Sequence, residues 1–458
     1  MKLIRFICEN RFRLFKTLLA YLTFLCLGSA LNLLGSSLLD LQIRLNVDFA
    51  KVSYLIPFRS AGHILGSASA GFIEQRFNRC LVLSVCNLIS GIFLGAAPNF
   101  FQFEYAACCL FISGIAHGIM DVLCNTLITD TWKDKCTNWL QALHMSVGIG
   151  SLLTPVLCRP FLIPEEGEPN VQRAINETFA SPIIEPINIK PTASDVKAQY
   201  AFMIIGAISV VIALPLGYVY LKERSYQNKN KNNVQISSDI EPKQEWSPLK
   251  ANGGIILVVI ISHLVYSLEA VIGSLGASFS VKSDLHMDKR TGVLLATVFW
   301  SCFSFYRLIF IPLTFVASEV KLLLVNLLFM FIGVVICVPW ANTHQICIWI
   351  GFIFLGMGLS PIFSAAYAML AKHITITGKI STIIIIPGVF GESAHPALAA
   401  TLMANSPISF LYYVGLLGIL LVVTFGLLII YCKLVFRTPN GLQRGIKERL
   451  STLSISRH

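Results

Sequence analysis

An all-α polytopic membrane protein of twelve transmembrane helices, arranged six plus six, is the fold class this sequence predicts. Three observations lead there. Of 458 residues, 55% are hydrophobic and only 13% charged, with mean hydropathy +0.71, whereas soluble domains carry roughly 25% charged residues. Apolar runs of about 20 residues, long enough to cross a ~30 Å hydrocarbon core, recur along the whole chain. The polar connections between them alternate between basic and less basic.

The runs fall at 17–40, 52–74, 80–98, 104–130, 138–160 and 200–221, then 253–279, 291–317, 321–341, 346–371, 380–404 and 408–434. This divides the chain into an N-terminal six-helix half (1–221), a linker (222–252), a C-terminal six-helix half (253–434) and a basic tail (435–458). The linker, KERSYQNKNKNNVQISSDIEPKQEWSPLK, is rich in Asn, Lys and Ser with no apolar period, so it reads as a flexible connection. With a cytosolic N-terminus, the inner segments carry more than twice the Lys and Arg of the outer ones. Both termini, the linker and the tail are therefore expected in the cytosol. The sequon Asn176-Glu177-Thr178 then falls outside, where it can be glycosylated. The first apolar run is too long for a signal peptide and lacks a small-residue cleavage pattern, so it reads as a retained helix.

Several function classes are excluded. There is no Walker lysine loop, dinucleotide glycine fingerprint, Gly-x-Ser-x-Gly elbow or zinc-protease His pair, so neither an enzyme nor a self-contained ATP-driven pump is indicated. The net charge of +11 resides mostly in the N-terminal segment, linker and tail, where it orients the chain against anionic lipid. No basic-aromatic pattern points to nucleic acid. The 13 cysteines are scattered through the spans without metal spacing and read as small packing residues. No cofactor or metal is expected beyond Na⁺ or H⁺ as a coupling ion. The lipid bilayer and a small-molecule substrate are the expected partners, with the monomer as the working unit.

Ionisable groups in hydrocarbon cost several kcal/mol unless paired or facing water, which makes them the candidates. In GIAHGIMDVLCNTL (114–127), His117, Asp121 and Asn125 recur every fourth residue and form one stripe on a helix. Span two holds Arg59 and His63, and span eight holds Arg307 on one face with Trp300 and Ser304. Phe58-Arg59 and Tyr306-Arg307 form a weak echo between the halves. Span five aligns Gln141, His144, Gly148, Ser151 and Pro155. In span seven Tyr266, Glu269, Gly273 and Gly276 share a face. Span eleven carries Pro387-Gly388, Glu392, His395 and Pro396, and an interrupted backbone is expected there. Each has a bland alternative: lone histidines are commonly buried hydrogen bonders, and glycine stripes commonly serve helix packing.

GFIEQRFNR (71–79) resembles the helix two–three loop of the major facilitator superfamily, Gly-x-x-x-Asp-Arg-x-Gly-Arg. Gly71, Arg76 and Arg79 match, Gln75 and Asn78 depart, and Glu74 offers an acid one position early. HGIMDVLCNTLITDTW (117–132), WLQALHMSVGIGSLLTPVLCRPFL (139–162) and HITITGKISTIIIIPGVFGESAHPALAA (373–400) resemble the sodium-dependent glucose transporter 1, or major facilitator domain-containing protein 4, family. The departures are Leu123 and Cys124 in place of two glycines, and Ser274 and Leu275 where span seven of the family has an aromatic residue. LKERSYQNK and FRTPNGLQR also lack the signatures of facilitative hexose carriers.

The resemblance implies a plasma-membrane symporter or uniporter of a small polar solute working by alternating access. Hexose-type sugars are the first substrate class, urea is a second, and Na⁺ or H⁺ could couple. In the superfamily helices one, four, seven and ten line the cavity. This implies substrate contacts from Asn32, His117, Asp121, Asn125, Glu269, Ser360, Ser364 and Tyr367, with Asp121 and Glu269 as ion-coupling carboxylates. Its packing of helix two on eleven and five on eight implies gating pairs Arg59–Glu392 and Arg307–His144. A non-transporting solute sensor and a proton-coupled exporter of organic compounds are the alternatives.

Overall fold

The computed structural model describes residues 2–48, 51–52, 54–162, 192–231, 247–287, 289–317 and 319–436. Asn176, most of the linker and the tail beyond Phe436 lie outside the described residues. The remainder is almost entirely helical. The helices are α1 (Lys2–Leu45), α2 (Leu55–Arg76), α3 (Arg79–Ala96), α4 (Phe103–Trp132), α5 (Cys136–Cys158), α6 (Gln199–Lys231), α7 (Pro248–Lys282), α8 (Lys289–Val316), α9 (Glu319–Trp340), α10a (Gln345–Leu359), α10b (Ile362–His373), α11 (Gly378–Asn405) and α12 (Ser409–Val435). Each expected span has its helix, and the tenth span is made of two. Eleven spans are long and apolar enough to cross a membrane, counting α10a and α10b together. Helix α2 has the length, 22 residues, but its Arg59, His63, serines and glycines lower its hydropathy.

Two corrections concern where the backbone is interrupted. Helix α11 runs unbroken through Pro387 and Pro396, although a break was expected there. The break lies in the tenth span, at Ser360-Pro361. Proline lacks an N–H and its ring crowds the carbonyl four residues back, so whether a helix continues through it depends on what satisfies the freed groups. In addition, α1 and α7 extend well beyond their apolar cores, α1 beginning at Lys2 and α7 at Pro248.

The chain forms two compact units. The first comprises Met1–Ser69, Ile73–Leu123 and Ser146–Asn228, and the second Ala70–Phe72, Cys124–Met145 and Lys229–His458. The turn between α4 and α5 thus belongs to the unit built mainly from the C-terminal half.

Glycines set the helix spacing in the first unit. A Cβ on Gly62 or Gly66 would overlap the backbone carbonyls of Phe111 or Ile115, and one on Gly114 or Gly118 those of Arg59 or His63. Helices α2 and α4 therefore pack backbone to backbone, a contact only glycine permits. A hydrophobic core of Leu33, Leu34, Leu41, Leu55, Leu110 and Phe202 adjoins this seam. The degraded loop motif is a structural junction. Glu74 pairs with Arg79, so the acid does act from one position early. Asn78 N-caps α3 by accepting from the amides of Cys80 and Leu81, and its side chain donates to Glu223 at 3.1 Å. Lys16 meets the same carboxylate at 3.0 Å, joining α1, α3 and α6.

In the second unit α7 packs most extensively on α11, and α9 on α10a. Large apolar side chains such as Leu214, Val316 and Leu434 point outward, as expected of surfaces solvated by lipid.

Candidate functional site

In the first unit the glycine-set approach of α2 and α4 buries a polar seam. Arg59, His63 and Asp121 are each 4% exposed. His63 Nε2 lies 3.4 Å from Asp121 Oδ2, an ion pair when the imidazole is protonated. One turn away, His117 Nε2 is 2.7 Å from Ser90 Oγ on α3. Asn87, also on α3, donates to Thr23 Oγ1 on α1 at 3.2 Å, and Ser209 on α6 donates to the Asn87 carbonyl at 3.0 Å. The stripe expected on α4 is therefore divided among neighbours: His117 engages α3 and Asp121 engages α2. In the second unit, Asn125 Oδ1 is 3.1 Å from His144 Nε2 on α5. Asn32 is half-buried on α1.

The second unit is organised around the break between α10a and α10b. Interrupting a span leaves carbonyls without intrahelical donors, and in a membrane protein side chains must satisfy them. Two side chains donate at this break. Arg307 Nε donates to Ser360 O and to Ser360 Oγ, both at 3.0 Å, and its terminal nitrogen also reaches Ser360 O. Gln141 Nε2 adds a donor at 3.0 Å to Pro361 O, which also accepts from the Ala365 amide at 3.0 Å within α10b. Arg307 is 3% exposed, and its guanidinium also lies over the Phe303 ring, 4.6 Å from the centroid. Arg307 thus hydrogen-bonds Ser360, and its field reaches His144. Arg59 lies in the first unit and Glu392 in the second.

Ser360, Ser364 and Tyr367 are fully buried and already bonded. Ser360 donates to Phe303 O, Ser364 to Pro361 O at 3.3 Å, and Tyr367 to Ser381 Oγ at 2.8 Å. The α4–α5 turn adds to this assembly: Thr314 donates to Asn138 at 2.9 Å, and Trp132 stacks on Trp139 with centroids 3.9 Å apart.

Glu269, unlike Ser360, Ser364 and Tyr367, is only half-buried. Arg307 and Glu392 are the charged groups whose fields act on it. One turn on, at Gly273, a Cβ would lie 2.8 Å from Trp300 Nε1 and 2.9 Å from its six-membered ring. The indole of α8 therefore occupies the face that Gly273 leaves open. Tyr266, on the same face of α7, meets Phe363 edge-on at 5.3 Å.

Sequence reasoning noted Trp300 only as a helix-face neighbour of Arg307 and missed His263 and Tyr413. Gly273 was the available signal, since a glycine one turn from a mid-span carboxylate leaves room that another residue must fill.

These features define a class: an all-helical, multi-pass membrane transporter with polar groups held inside its bundle. The family model described as Major Facilitator Superfamily matches residues 17–393, and the chain belongs to that superfamily, whose members are transporters rather than enzymes. It is similar to sodium-dependent glucose transporter 1 of Xenopus laevis, 23% identical over 381 residues, covering 82% of this chain and 74% of the relative. The human protein of that name is 23% identical over 397 residues, covering 84% and 73%. Major facilitator superfamily domain-containing protein 4B of Danio rerio is 22% identical over 432 residues, covering 84% and 80%. Among solved structures, the transporter FucP in the outward conformation aligns with TM-score 0.65 at 13% identity, covering 92% of this chain and 99% of that one. The proton:xylose symporter XylE bound to 6-bromo-6-deoxy-D-glucose aligns with TM-score 0.64 at 13% identity, covering 90% and 95%. Both structural likenesses are of fold.

Proposed function

We propose that this chain carries a small polar solute of the hexose class across the plasma membrane by alternating access, with Glu269 at the substrate site. The observation that carries this reading is the half-buried Glu269 set one turn from a glycine whose open face holds the Trp300 indole. A carboxylate accepts hydrogen bonds from hydroxyls, and an indole offers a flat apolar surface to the C–H face of a sugar ring. Pockets for small solutes combine these two elements, an apolar wall and a few placed polar groups. The curated relatives named for glucose support the substrate class, and their description as sodium-dependent supports Na⁺ as the coupling ion.

In this proposal the two expected coupling carboxylates are unequal. Asp121 is held by His63 inside the α2–α4 seam, whereas Glu269 is half-buried and lies in the fields of Arg307 and Glu392. Glu269 is thus the better candidate for a cation that comes and goes. Ser360, Ser364 and Tyr367 support the site by holding the broken tenth span in place, and Asn125 is a secondary contact.

The test is uptake of labelled hexoses, polyols and urea into proteoliposomes under separately imposed Na⁺ and pH gradients. Hexose accumulation driven by Na⁺, lost in Glu269→Gln with internal-for-external exchange retained, is the expected result. Trp300→Ala is expected to weaken hexose uptake at least tenfold and to leave any urea flux intact. Binding without flux would identify a sensor, and efflux of organic cations an exporter; either overturns the proposal.

A further inference from the structure

Three titratable side chains that the substrate site does not use form a continuous hydrogen-bonded row across α7, α11 and α12. His263 Nδ1 is 2.8 Å from Pro387 O, His263 Nε2 is 3.0 Å from His395 Nε2, and His395 Nδ1 is 2.7 Å from the Tyr413 hydroxyl. The imidazoles meet edge-on with centroids 4.8 Å apart, and all three side chains are half-buried. Gly388 and Gly391 make this approach geometrically feasible. A Cβ on Gly391 would lie 2.9 Å from His263 Nδ1, and one on Gly388 would lie 2.6 Å from Ser262 Oγ.

The row dictates its own protonation. A carbonyl only accepts, so His263 carries its proton on Nδ1 and, when neutral, presents a lone pair at Nε2. His395 must then donate from Nε2, which leaves its Nδ1 as an acceptor for the Tyr413 hydroxyl. Every bond is satisfied with both rings neutral. One further proton fits: it enters at His395 Nδ1, and the Tyr413 hydroxyl rotates so that its oxygen accepts instead of its hydrogen donating. The central N–H···N proton can then reside on either ring, so the positive charge is shared. A second proton cannot enter without placing two N–H groups head to head.

We propose that His263, His395 and Tyr413 form a one-proton binding site of the second unit, loaded at His395 Nδ1 and kept intact in both charge states. Besides its members, the titratable groups on the helices packed around it include Tyr266 and Glu269 on α7, Arg307 on α8, Tyr367 on α10b, Glu392 on α11 and Tyr412 on α12. Glu392 lies three residues from His395 and so on the same face of α11. The site is separate from Glu269, so a pH response arises in this protein whether or not a proton drives its transport.

The test uses the full chain, labelled with ¹⁵N-histidine, in lipid nanodiscs at pH 8 and pH 5. At pH 8 a through-hydrogen-bond nitrogen–nitrogen coupling between the two Nε2 atoms is expected, with His263 protonated on Nδ1. At pH 5 the coupling is expected to persist while the pair together gains one proton. Tyr413→Phe removes the acceptor for the loading proton, and charge-assisted bonds are roughly twice as strong as neutral ones, so proton affinity is expected to fall about fivefold. Absence of the coupling at pH 8 would overturn the proposal. So would its loss on acidification, uptake of two protons or none, or an unchanged midpoint in Tyr413→Phe. None of these readouts depends on the solute or on flux.

Discussion

The first unit buries its ionisable groups where helices touch backbone to backbone, and the second leaves several of its own half-open where helices touch through side chains. Gly62, Gly66, Gly114 and Gly118 bring α2 and α4 so close that Arg59, His63 and Asp121 are sealed inside. In the second unit Gly273 meets the Trp300 indole, Gly388 the Ser262 and Tyr266 side chains, and Gly391 first the Ser267 hydroxyl and then the ring and carbonyl of His263, so side chains supply most of these contacts. Side chains rotate at little cost, whereas a backbone contact is rigid. The difference teaches that an intramembrane charge is not a working group by virtue of its charge: a sealed seam fixes geometry, and a side-chain-lined interface can change partners.

The contrast can be broken most directly at the glycines. Gly66→Ala and Gly118→Ala force a Cβ into a carbonyl oxygen, and each is expected to cost about 3 kcal/mol or more, seen as a large loss of thermal stability in detergent. Gly426→Ala meets nothing within 4 Å and is expected to be neutral or to stabilise by up to about 1 kcal/mol. Equal effects at all three positions would remove the basis for a rigid seam.

Next in size is a contrast between carboxylates. Removing one partner of a buried pair leaves the other uncompensated, so Asp121→Ala is expected to destabilise the chain by about 3–5 kcal/mol. Glu269→Gln, at a half-open position, is expected to change stability by less than about 1 kcal/mol while abolishing gradient-driven accumulation. Chemical denaturation and transport measured on the same preparations separate the two. A stable, transport-dead Asp121→Ala would reverse the assignment.

A smaller effect tests whether the second unit's buried polar residues are supports. Tyr367→Phe deletes the hydroxyl that donates to Ser381 and is expected to cost about 1 kcal/mol, with substrate affinity unchanged. A tenfold loss of affinity without loss of stability would make Tyr367 a ligand.

The smallest effect is expected outside the membrane. Asp195 accepts from the Thr192 amide at 2.8 Å and its hydroxyl at 2.7 Å, and these bonds hold its carboxyl below the usual range. Its contribution is therefore full above the ordinary aspartate value of about 3.9 and is lost as pH falls through the depressed folded value. Because Asp195 is exposed, the unfolding midpoint of Asp195→Asn is expected to match that of the native chain at every pH down to 4. A clear difference there would show that water-exposed contacts rival the buried seam.

Span number, approximate span limits and the polar residues worth examining were legible in the sequence, because hydrocarbon thickness and the cost of burying charge act on composition and spacing alone. The loop motif was legible too, with Glu74 pairing Arg79 in place of the missing acid. Which proline breaks a span was not. Pro387 and Pro396 lie within an unbroken α11, while Pro361 ends α10a, and the Ser360 carbonyl at that break is satisfied by Arg307 from another helix. Nor could helical spacing reveal that His117, Asp121 and Asn125, aligned on α4, each face a different neighbour.

Composition by itself thus determined that the chain lives in a bilayer, in twelve spans, with a small set of costly polar groups that must be satisfied. Only the tertiary structure decided which of those groups are satisfied by protein and which stay open, as Glu269 does beside Trp300. The physical reason is that a polar group in a membrane is defined by its partner, and the partners here lie tens to hundreds of residues away in the chain, brought into reach by helix contacts that no local pattern encodes.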